Sequence, residues 1–338
     1  MSSIILLISA FFVALALTAL LRKYALARSI IDIPNARSSH SVPTPRGGGV
    51  AIVVAFLAGL VVCLSFGLGQ WQVLVGVGGS GLLIAVIGFM DDHGHIAARW
   101  RLLGHFSGAF WLLYWLGGFP ALDVFGFRLE ATALLVGFAT LFLVWLLNLY
   151  NFMDGIDGLA SVEAITTTLG IAFIYWLCGF DNLVMLPMLL ALAVAGFLFW
   201  NFPPAKIFMG DAGSGFLGIT LGALCVLGAW TSQAMFWCWV ILMGVFIVDA
   251  TYTLIRRLAR GEKVYEAHRS HAYQFASRQF GRHLPVTVGV LVLNLAWLLP
   301  LAIAVALDGV SGPVGVLIAY APLVGLAAKY RAGEQEHC

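Results

Sequence analysis

The segment Asn148-Leu-Tyr-Asn-Phe-Met-Asp-Gly-Ile-Asp-Gly-Leu-Ala160 separates two long apolar runs and places two carboxylates, Asp154 and Asp157, among glycines. Asn151 precedes Asp154 by three residues, so on a helical turn all three side chains would share one face. Only 10% of the residues are charged, which makes two acids at this boundary unusual. A helix cap followed by a Gly-rich loop at the water interface would explain the spacing equally well. The rest of the chain has to decide between the two interpretations.

The composition is that of an integral membrane protein. Of the 338 residues, 61% are hydrophobic, whereas a soluble domain is about 45–50% apolar and about 25% charged. The five cysteines show no paired spacing, which argues against a disulfide framework and a zinc site. The first apolar run, Ile4 to Leu21, has no basic start or small-residue cleavage site, so we expect it to remain as a spanning helix.

Apolar windows of roughly 17–25 residues, the length that crosses a bilayer, recur along the whole chain. We predict an all-α polytopic membrane protein with about eleven transmembrane helices, forming one domain over residues 1–338. The windows lie near 3–21, 48–68, 71–90, 102–118, 131–149, 159–179, 183–200, 213–230, 234–255, 285–307 and 312–329.

The basic residues predict the orientation. All but Arg128 of the 18 Lys and Arg residues fall in the odd-numbered gaps between these windows or in the C-terminal tail. Because Lys and Arg are enriched in cytoplasmic loops, the N-terminus should lie outside and the C-terminus in the cytoplasm. The same face of the membrane would then carry every large polar cluster.

Two further acidic clusters follow apolar windows. Asp91 and Asp92 are adjacent, so at least one should have a raised pKa unless a cation lies between them. A divalent metal ion or a proton-abstracting base would fit this pair, although ordinary interfacial polarity is the simpler alternative. Asp211 lies between Gly210 and Gly213 where a helix begins, so free N–H groups could bind an anion while the carboxylate binds a hard cation. Alternatively, Asp211 is only an N-cap, worth about 1 kcal/mol.

Two basic segments carry weaker signals. Arg46 precedes three glycines, a pattern that suits phosphate or sugar binding but also a flexible helix entry. The loop 256–284 contains His268, Arg269 and His271, which could bind phosphate or sugar hydroxyls, whereas contact with anionic headgroups would explain its charge more simply. Asp249 lies inside an apolar window and should therefore face a cavity or a partner.

Together, the five Asp residues at one face favour a hard cation such as Mg²⁺, which bridges carboxylates and phosphate oxygens. Cations and helix N-termini bind diphosphates. A many-helix body suggests that one substrate is a lipid. These parts predict phosphoryl transfer from a soluble nucleotide to a membrane lipid.

Four segments resemble those of the polyprenyl-phosphate N-acetylhexosamine-1-phosphate transferases of glycosyltransferase family 4: Asp91-Asp92, residues 148–160, residues 208–214 and the His268–His271 loop. Their order and the number of windows also agree. The resemblance is to the branch that initiates O-antigen and common-antigen glycans rather than to the peptidoglycan translocases. In the translocase pattern a Lys stands where this chain has His95, and a triple histidine stands where it has His268-Arg269-Ser270-His271.

The resemblance implies that a UDP-N-acetylhexosamine gives its sugar-1-phosphate to undecaprenyl phosphate, releasing UMP and starting a lipid-linked glycan of the O-antigen lipopolysaccharide type. Mg²⁺, or alternatively Mn²⁺, would be bound by Asp211 with Asn151. Asp91 would deprotonate or orient the lipid phosphate, with Asp92 beside it. The remaining residues would bind the substrates: Asp154 and Asp157 in the uridine pocket, Phe208 stacking on uracil, Asn201 supporting the nucleotide, and Arg99, Arg101, His268, Arg269 and His271 on phosphates or sugar.

The resemblance further implies a multi-pass protein of the bacterial inner membrane that needs no nucleic acid. It leaves open whether the protein forms a homodimer. It also leaves the sugar open, which could be N-acetylglucosamine, FucNAc or QuiNAc. Direct attack by the lipid phosphate is favoured over Asp211 as a nucleophile, because a metal-bound carboxylate is a poor nucleophile. The main alternative is a phospho-N-acetylmuramoyl-pentapeptide transferase. A secondary transporter would instead predict acids near the bilayer midplane and an internal repeat, and a purely structural membrane protein would not need five acids flanked by glycines.

Overall fold

The computed structural model describes residues 3–34, 39–40, 42–67, 69–94, 96–262 and 268–334. Most of these residues are helical. The helices are α1 (Ser3–Ala27), α2 (Val50–Ser65), α3 (Trp71–His93, with a π turn at Leu74–Gly78), α4 (Ala98–Leu116), α5 (Thr132–Met153), α6 (Leu159–Leu177), α7 (Asp181–Asn201), α8 (Asp211–Thr231), α9 (Gln233–Leu242), α10 (Gly244–Ala259), α11 (Ala272–Phe280), α12 (Leu284–Ala306, with a π turn at Asn294–Leu298) and α13 (Gly312–Lys329).

The all-α polytopic class is confirmed. Across the described ranges, eight helices are long and apolar enough to cross a membrane, and α9 with α10 would make a ninth span that is bent by 69°. Helices also lie in the two remaining predicted windows, but α2 has only 16 residues and α4 does not qualify as a span. The count of eleven and the single domain over residues 1–338 therefore stay predictions.

Helix α8 lies at the centre of the bundle and is almost entirely buried. Helices α3 and α5 pack against it at glycines. A Cβ at Gly88 would lie 2.4 Å from the Asp211 carbonyl oxygen, and a Cβ at Gly218 would lie 2.6 Å from the Cα of Leu147. Small residues let membrane helices approach this closely, and here they bring the polar ends of α3 and α5 to the first residue of α8.

Two short antiparallel ribbons complete the described elements. Strands β1 (Ile31–Asp32) and β2 (Thr44–Pro45) pair next to the polar end of α8. Strands β3 (Leu122–Val124) and β4 (Phe127–Leu129) form a hairpin between α4 and α5, at the opposite end of the bundle. Polar segments from four helix ends therefore meet on one face, and the hairpin that carries Arg128 lies on the other.

Candidate active site

The first turn of α8 is capped by a carboxylate from another helix. The Asp92 carboxylate accepts hydrogen bonds from the backbone N–H groups of Asp211 (3.1 Å) and Ala212 (3.3 Å). These groups have no partner within the helix, and an anion at a helix N-terminus is favourable. The expectation that they are free to bind a substrate anion is therefore wrong, because Asp92 already fills that position.

Asp91 turns away from Asp92, toward a different cation. Its carboxylate accepts a hydrogen bond from the Ile96 N–H (2.7 Å) and a short one from Arg101. Arg101 also lies near Asp211, with Nη1 3.7 Å from Oδ2. The side chains of the adjacent Asp91 and Asp92 thus point in different directions, and Asp91 is paired with a cation.

Arg46 is the second cation of the cluster. Its Nη2 lies 2.5 Å from Asp211 Oδ1 and 2.9 Å from Asp92 Oδ1. Burial lowers the pKa of Arg46, but the carboxylates of Asp211 and Asp92 outweigh it, so the pKa of this guanidinium is raised. The sequence interpretation gave Arg46 only a weak signal, the adjoining glycines, and did not include it among the site residues.

A cavity of about 480 Å³ opens beside Asp211. This volume falls in the range of small-molecule sites, about 300–1,000 Å³. A second cavity of about 600 Å³ adjoins it and shares the walls formed by His40 and Phe208, whose rings lie 4.8 Å apart. Half of the predicted substrate-binding residues line the first cavity: Asn151, Asp154, Asp157, Asn201 and Phe208. The full wall is formed by Asp32, Ser39, His40, Arg46, Asn151, Asp154, Gly155, Ile156, Asp157, Asn201, Phe208, Met209, Gly210, Asp211, Ser214, Gln274 and His283.

Asp154 faces this cavity from the end of α5. Burial raises the pKa of Asp154 well above its usual range; Arg46 opposes that shift, and the neighbouring carboxylates add to it. Protein surrounds the site, but the Asp154 side chain keeps some exposed surface because it forms part of the cavity wall. Asp154 therefore offers a hydrogen-bonding carboxyl group to a ligand in this cavity.

Asp157 and Asn201 join neighbouring loops. Asp157 accepts a hydrogen bond from the Ala205 N–H (3.0 Å), and its Oδ1 lies 3.2 Å from Nδ1 of His283. Burial lowers the pKa of His283, but the hydrogen bond and charge of Asp157 outweigh it, so this pKa is raised. Asn201 accepts from the Gly158 N–H (3.0 Å) and donates to the Ile207 carbonyl (3.0 Å). Both side chains therefore shape the cavity through protein contacts.

A small cavity of about 40 Å³ lies on the other side of Asp211. It is lined by polar groups of Asp91, Arg101, His105 and Asn148, with apolar neighbours around them. Such a volume holds a few water-sized groups. The sequence interpretation missed His105, whose position four residues after Arg101 places both side chains on one face of α4.

Asn151 and Asp211 line both cavities and form the wall between them. The Asn151 amide donates to Ser214 Oγ (3.1 Å), which fixes its orientation. Within the described ranges, no group of three or more His, Cys, Asp or Glu side chains is arranged to hold a metal ion. Mg²⁺ usually takes one or two carboxylates and completes its shell with phosphate oxygens and water, so the oxygens of Asp211 and Asn151 fit such an ion beside bound phosphates.

Other predicted site residues lie outside the walls of these cavities. Arg99 is exposed and stacks on Trp100. His271 is buried, with Nδ1 3.2 Å from Asp249, and the Arg269 carbonyl accepts from Arg278. Burial, then the neighbouring cations, lowers the pKa of His268 to about 3, so this ring is neutral near pH 7. Their substrate roles stay predictions.

Three residues used in the sequence interpretation lie outside the described residues. They are His95, from the comparison with the translocases, and the basic residues Arg37 and Lys263.

The chain has clear relatives. The model of glycosyl transferase family 4 matches residues 73–229, which carry Asp91, Asp92, the segment 148–160 and Asp211. Over these residues the chain is similar to glycosyl transferase family 4. A probable undecaprenyl-phosphate N-acetylglucosaminyl 1-phosphate transferase of Bacillus subtilis (strain 168) is 29% identical over 266 residues, 77% of this chain and 73% of that protein.

Phospho-N-acetylmuramoyl-pentapeptide-transferases also match. A phospho-N-acetylmuramoyl-pentapeptide-transferase of Streptococcus pyogenes serotype M18 (strain MGAS8232) is 29% identical over 243 residues, 67% of this chain and 69% of that protein. The same enzyme of Streptococcus agalactiae serotype III (strain NEM316) is 31% identical over 210 residues, 58% and 62% of the two chains. The predicted family is thus confirmed, and its O-antigen branch stays a prediction.

Proposed function

We propose that this protein transfers an N-acetylhexosamine-1-phosphate from a UDP-sugar to undecaprenyl phosphate and releases UMP. The observation that carries the proposal is the wall of Asn151 and Asp211 between a large and a small polar cavity. The large cavity has the size of a sugar-nucleotide site. The small cavity, with its arginine, suits a single phosphate group whose lipid tail stays in the bilayer. Donor and acceptor phosphates would meet at this wall.

On the acceptor side, Arg101 would hold the lipid phosphate and Asp91 would accept its proton. A phosphate oxygen then attacks the sugar-linked phosphorus of the donor. The new P–O bond forms while the bond between that phosphorus and the bridging oxygen breaks, and UMP leaves. This step forms no covalent bond to the chain. Asp211, the alternative nucleophile, is already paired with cations and is therefore a poor nucleophile.

On the donor side, Arg46 would hold the diphosphate and Phe208 would stack on the base. Asp154 would lie against the nucleotide in the large cavity. A bound Mg²⁺, held by Asp211 and Asn151, would neutralise charge on the phosphate oxygens. The substrates would otherwise be positioned by protein dipoles and by cationic side chains, which the hydrogen bonds and ion pairs described above hold in place.

The proposal places the protein in a bacterial inner membrane, with the N-terminus outside and this face in the cytoplasm, where nucleotide sugars are available. The distribution of basic residues supports that orientation. The Bacillus subtilis relative, which by name acts on undecaprenyl phosphate with N-acetylglucosamine, supports this donor class. The streptococcal relatives keep a muramoyl-pentapeptide donor as the second candidate.

Release of UMP by the purified protein in detergent tests the proposal. The assay combines undecaprenyl phosphate and Mg²⁺ with UDP-GlcNAc, UDP-FucNAc, UDP-QuiNAc or UDP-MurNAc-pentapeptide. We expect UMP with one or more of the first three donors and none with the pentapeptide donor. UMP from the pentapeptide donor alone would assign the protein to the peptidoglycan branch, and no UMP from any donor with folded protein would contradict the proposal.

A further inference from the structure

The two carboxylate oxygens of Asp211 face different arginines. Arg46 lies 2.5 Å from Oδ1 on the side of the large cavity, and Arg101 lies 3.7 Å from Oδ2 on the side of the small cavity. Arg101 has a closer partner in Asp91. Arg46 is therefore the principal counter-ion of Asp211, and it lies at Oδ1 on the side of the cavity proposed for the donor.

The backbone around Arg46 is fixed, whereas its side chain can move. The N–H groups of Gly48 and Gly49 donate to the carbonyls of Phe208 and Met209, both at 2.9 Å, and the Phe208 N–H donates to the Pro45 carbonyl (2.8 Å). The Arg46 side chain retains 34% of its exposed area. Four rotatable side-chain bonds let the guanidinium turn within the large cavity while the loop remains attached.

Release of Arg46 would leave neither partner without a bond. Asp92 keeps the two N–H groups at the start of α8, and Asp211 would gain a cation in exchange. Asp32 and Asp157 line the same cavity, but a diphosphate would offer Arg46 a more highly charged partner and a bidentate contact. Replacement of Arg46 by a metal ion at Asp211 is thus favourable when a nucleotide is present. It is unfavourable when the metal ion arrives alone, because two cations at one oxygen repel each other.

We propose that Arg46 is an exchangeable counter-ion that keeps Asp211 from binding a divalent cation until a nucleoside diphosphate draws the guanidinium away. The inference rests on the proposed function and adds to it an ordered loading of the site, with Arg46 moving from Asp211 to the donor diphosphate. Metal and donor then bind cooperatively, and by linkage each raises the affinity of the other equally.

Binding of Mn²⁺, followed by electron paramagnetic resonance with and without UDP-GlcNAc, measures this coupling without turnover. In the unchanged protein, we expect UDP-GlcNAc to raise the Mn²⁺ affinity by about tenfold or more, within the usual range of coupling. Arg46→Ala should bind Mn²⁺ more tightly in the absence of the donor and lose most of the coupling. Arg46→Lys, which keeps a charge, should restore part of it. Arg128→Ala, at the opposite end of the bundle, should behave like the unchanged protein.

An unchanged or weaker Mn²⁺ affinity of folded Arg46→Ala in the absence of donor would overturn the inference. Should Arg46→Ala not fold, Arg46→Gln carries the same expectation, and folding of each variant is checked by its melting temperature. Failure of the proposed function has a different signature, because the unchanged protein would then bind neither Mn²⁺ nor UDP-GlcNAc. Binding of both ligands without coupling would refute the counter-ion role and leave the proposed function intact.

Discussion

At the scale of single residues, the site consists of long-range pairs between acids and arginines. Asp211 is 165 positions from Arg46, and its N–H bonds to Asp92, 119 positions away. Each carboxylate has a different set of partners, which is why chemically identical side chains can have different roles. Asp92 caps a helix, Asp91 borders the small cavity, and Asp154 borders the large one.

Asp91→Asn should lower kcat by about 10²-fold or more, the usual contribution of a general base. The amide keeps one oxygen that can accept from either Ile96 or Arg101, and Asp91 does not line the donor cavity, so the KM for the UDP-sugar should change little. Steady-state UMP release at several donor concentrations measures both values. Asp123→Asn in the distant hairpin is the matched control, and near-normal turnover of Asp91→Asn would show that the role of Asp91 is wrong.

The His283–Asp157 pair predicts a pH dependence of stability. The folded protein raises the pKa of His283 above its ordinary value of 6.5. The stabilisation by the protonated ring is therefore fully present below pH 6.5 and is lost as the pH rises through the raised pKa. The melting temperature of the unchanged protein should exceed that of His283→Gln most at low pH, and the gap should shrink above this window. Asp157→Asn should remove the pH-dependent part, and a gap that does not vary with pH would refute the prediction.

At the scale of elements, the bend between α9 and α10 needs partners for its free backbone groups, because hydrocarbon offers none. Helix α6 supplies one of them: Thr167 donates to the Leu242 carbonyl (3.2 Å). In the same helix, buried Glu163 accepts a hydrogen bond from Asn294 Nδ2 of α12 (2.7 Å). The bent span, which leads to the loop with His268 and His271, is thus held by a side chain of a straight one.

Glu163→Leu should lower the melting temperature in detergent by several degrees, because it removes the acceptor of a buried Asn294 N–H, and an unsatisfied buried N–H costs about 1–3 kcal/mol. Glu163→Gln keeps an acceptor oxygen and should retain most of the stability. Thermal unfolding of the two variants beside the unchanged protein makes the comparison. Equal melting temperatures for Glu163→Leu and the unchanged protein would show that the stability does not depend on this bond between α6 and α12.

At the scale of the whole molecule, the sequence predicted the all-α membrane class and the family, and it named the acids that meet at α8. Apolar length and local motifs carry that information. The sequence did not reveal that Arg46 pairs with Asp211, or that Asp92 caps α8, since both depend on how distant helices pack at glycines such as Gly88. The break after Leu242 was also hidden, because an apolar run looks the same whether its helix is straight or bent.

The whole site should depend on a divalent cation. Excess EDTA should abolish UMP release, since the phosphates then meet at Asp211 without charge neutralisation, and added Mg²⁺ should restore it. The melting temperature after EDTA treatment serves as the control for unfolding. Activity that persists in excess EDTA would contradict the Mg²⁺ proposal.

The central claim is that donor and acceptor phosphates react directly across the wall of Asn151 and Asp211. Exchange of radiolabelled UMP into UDP-GlcNAc, measured in the absence of undecaprenyl phosphate, tests it most directly, with UDP-GlcNAc replaced by whichever donor the UMP assay identifies. We expect no exchange without the lipid acceptor, and exchange once both undecaprenyl phosphate and its product are present. Exchange without any acceptor would mean that the chain itself carries the sugar-phosphate, which would contradict direct transfer between the two cavities.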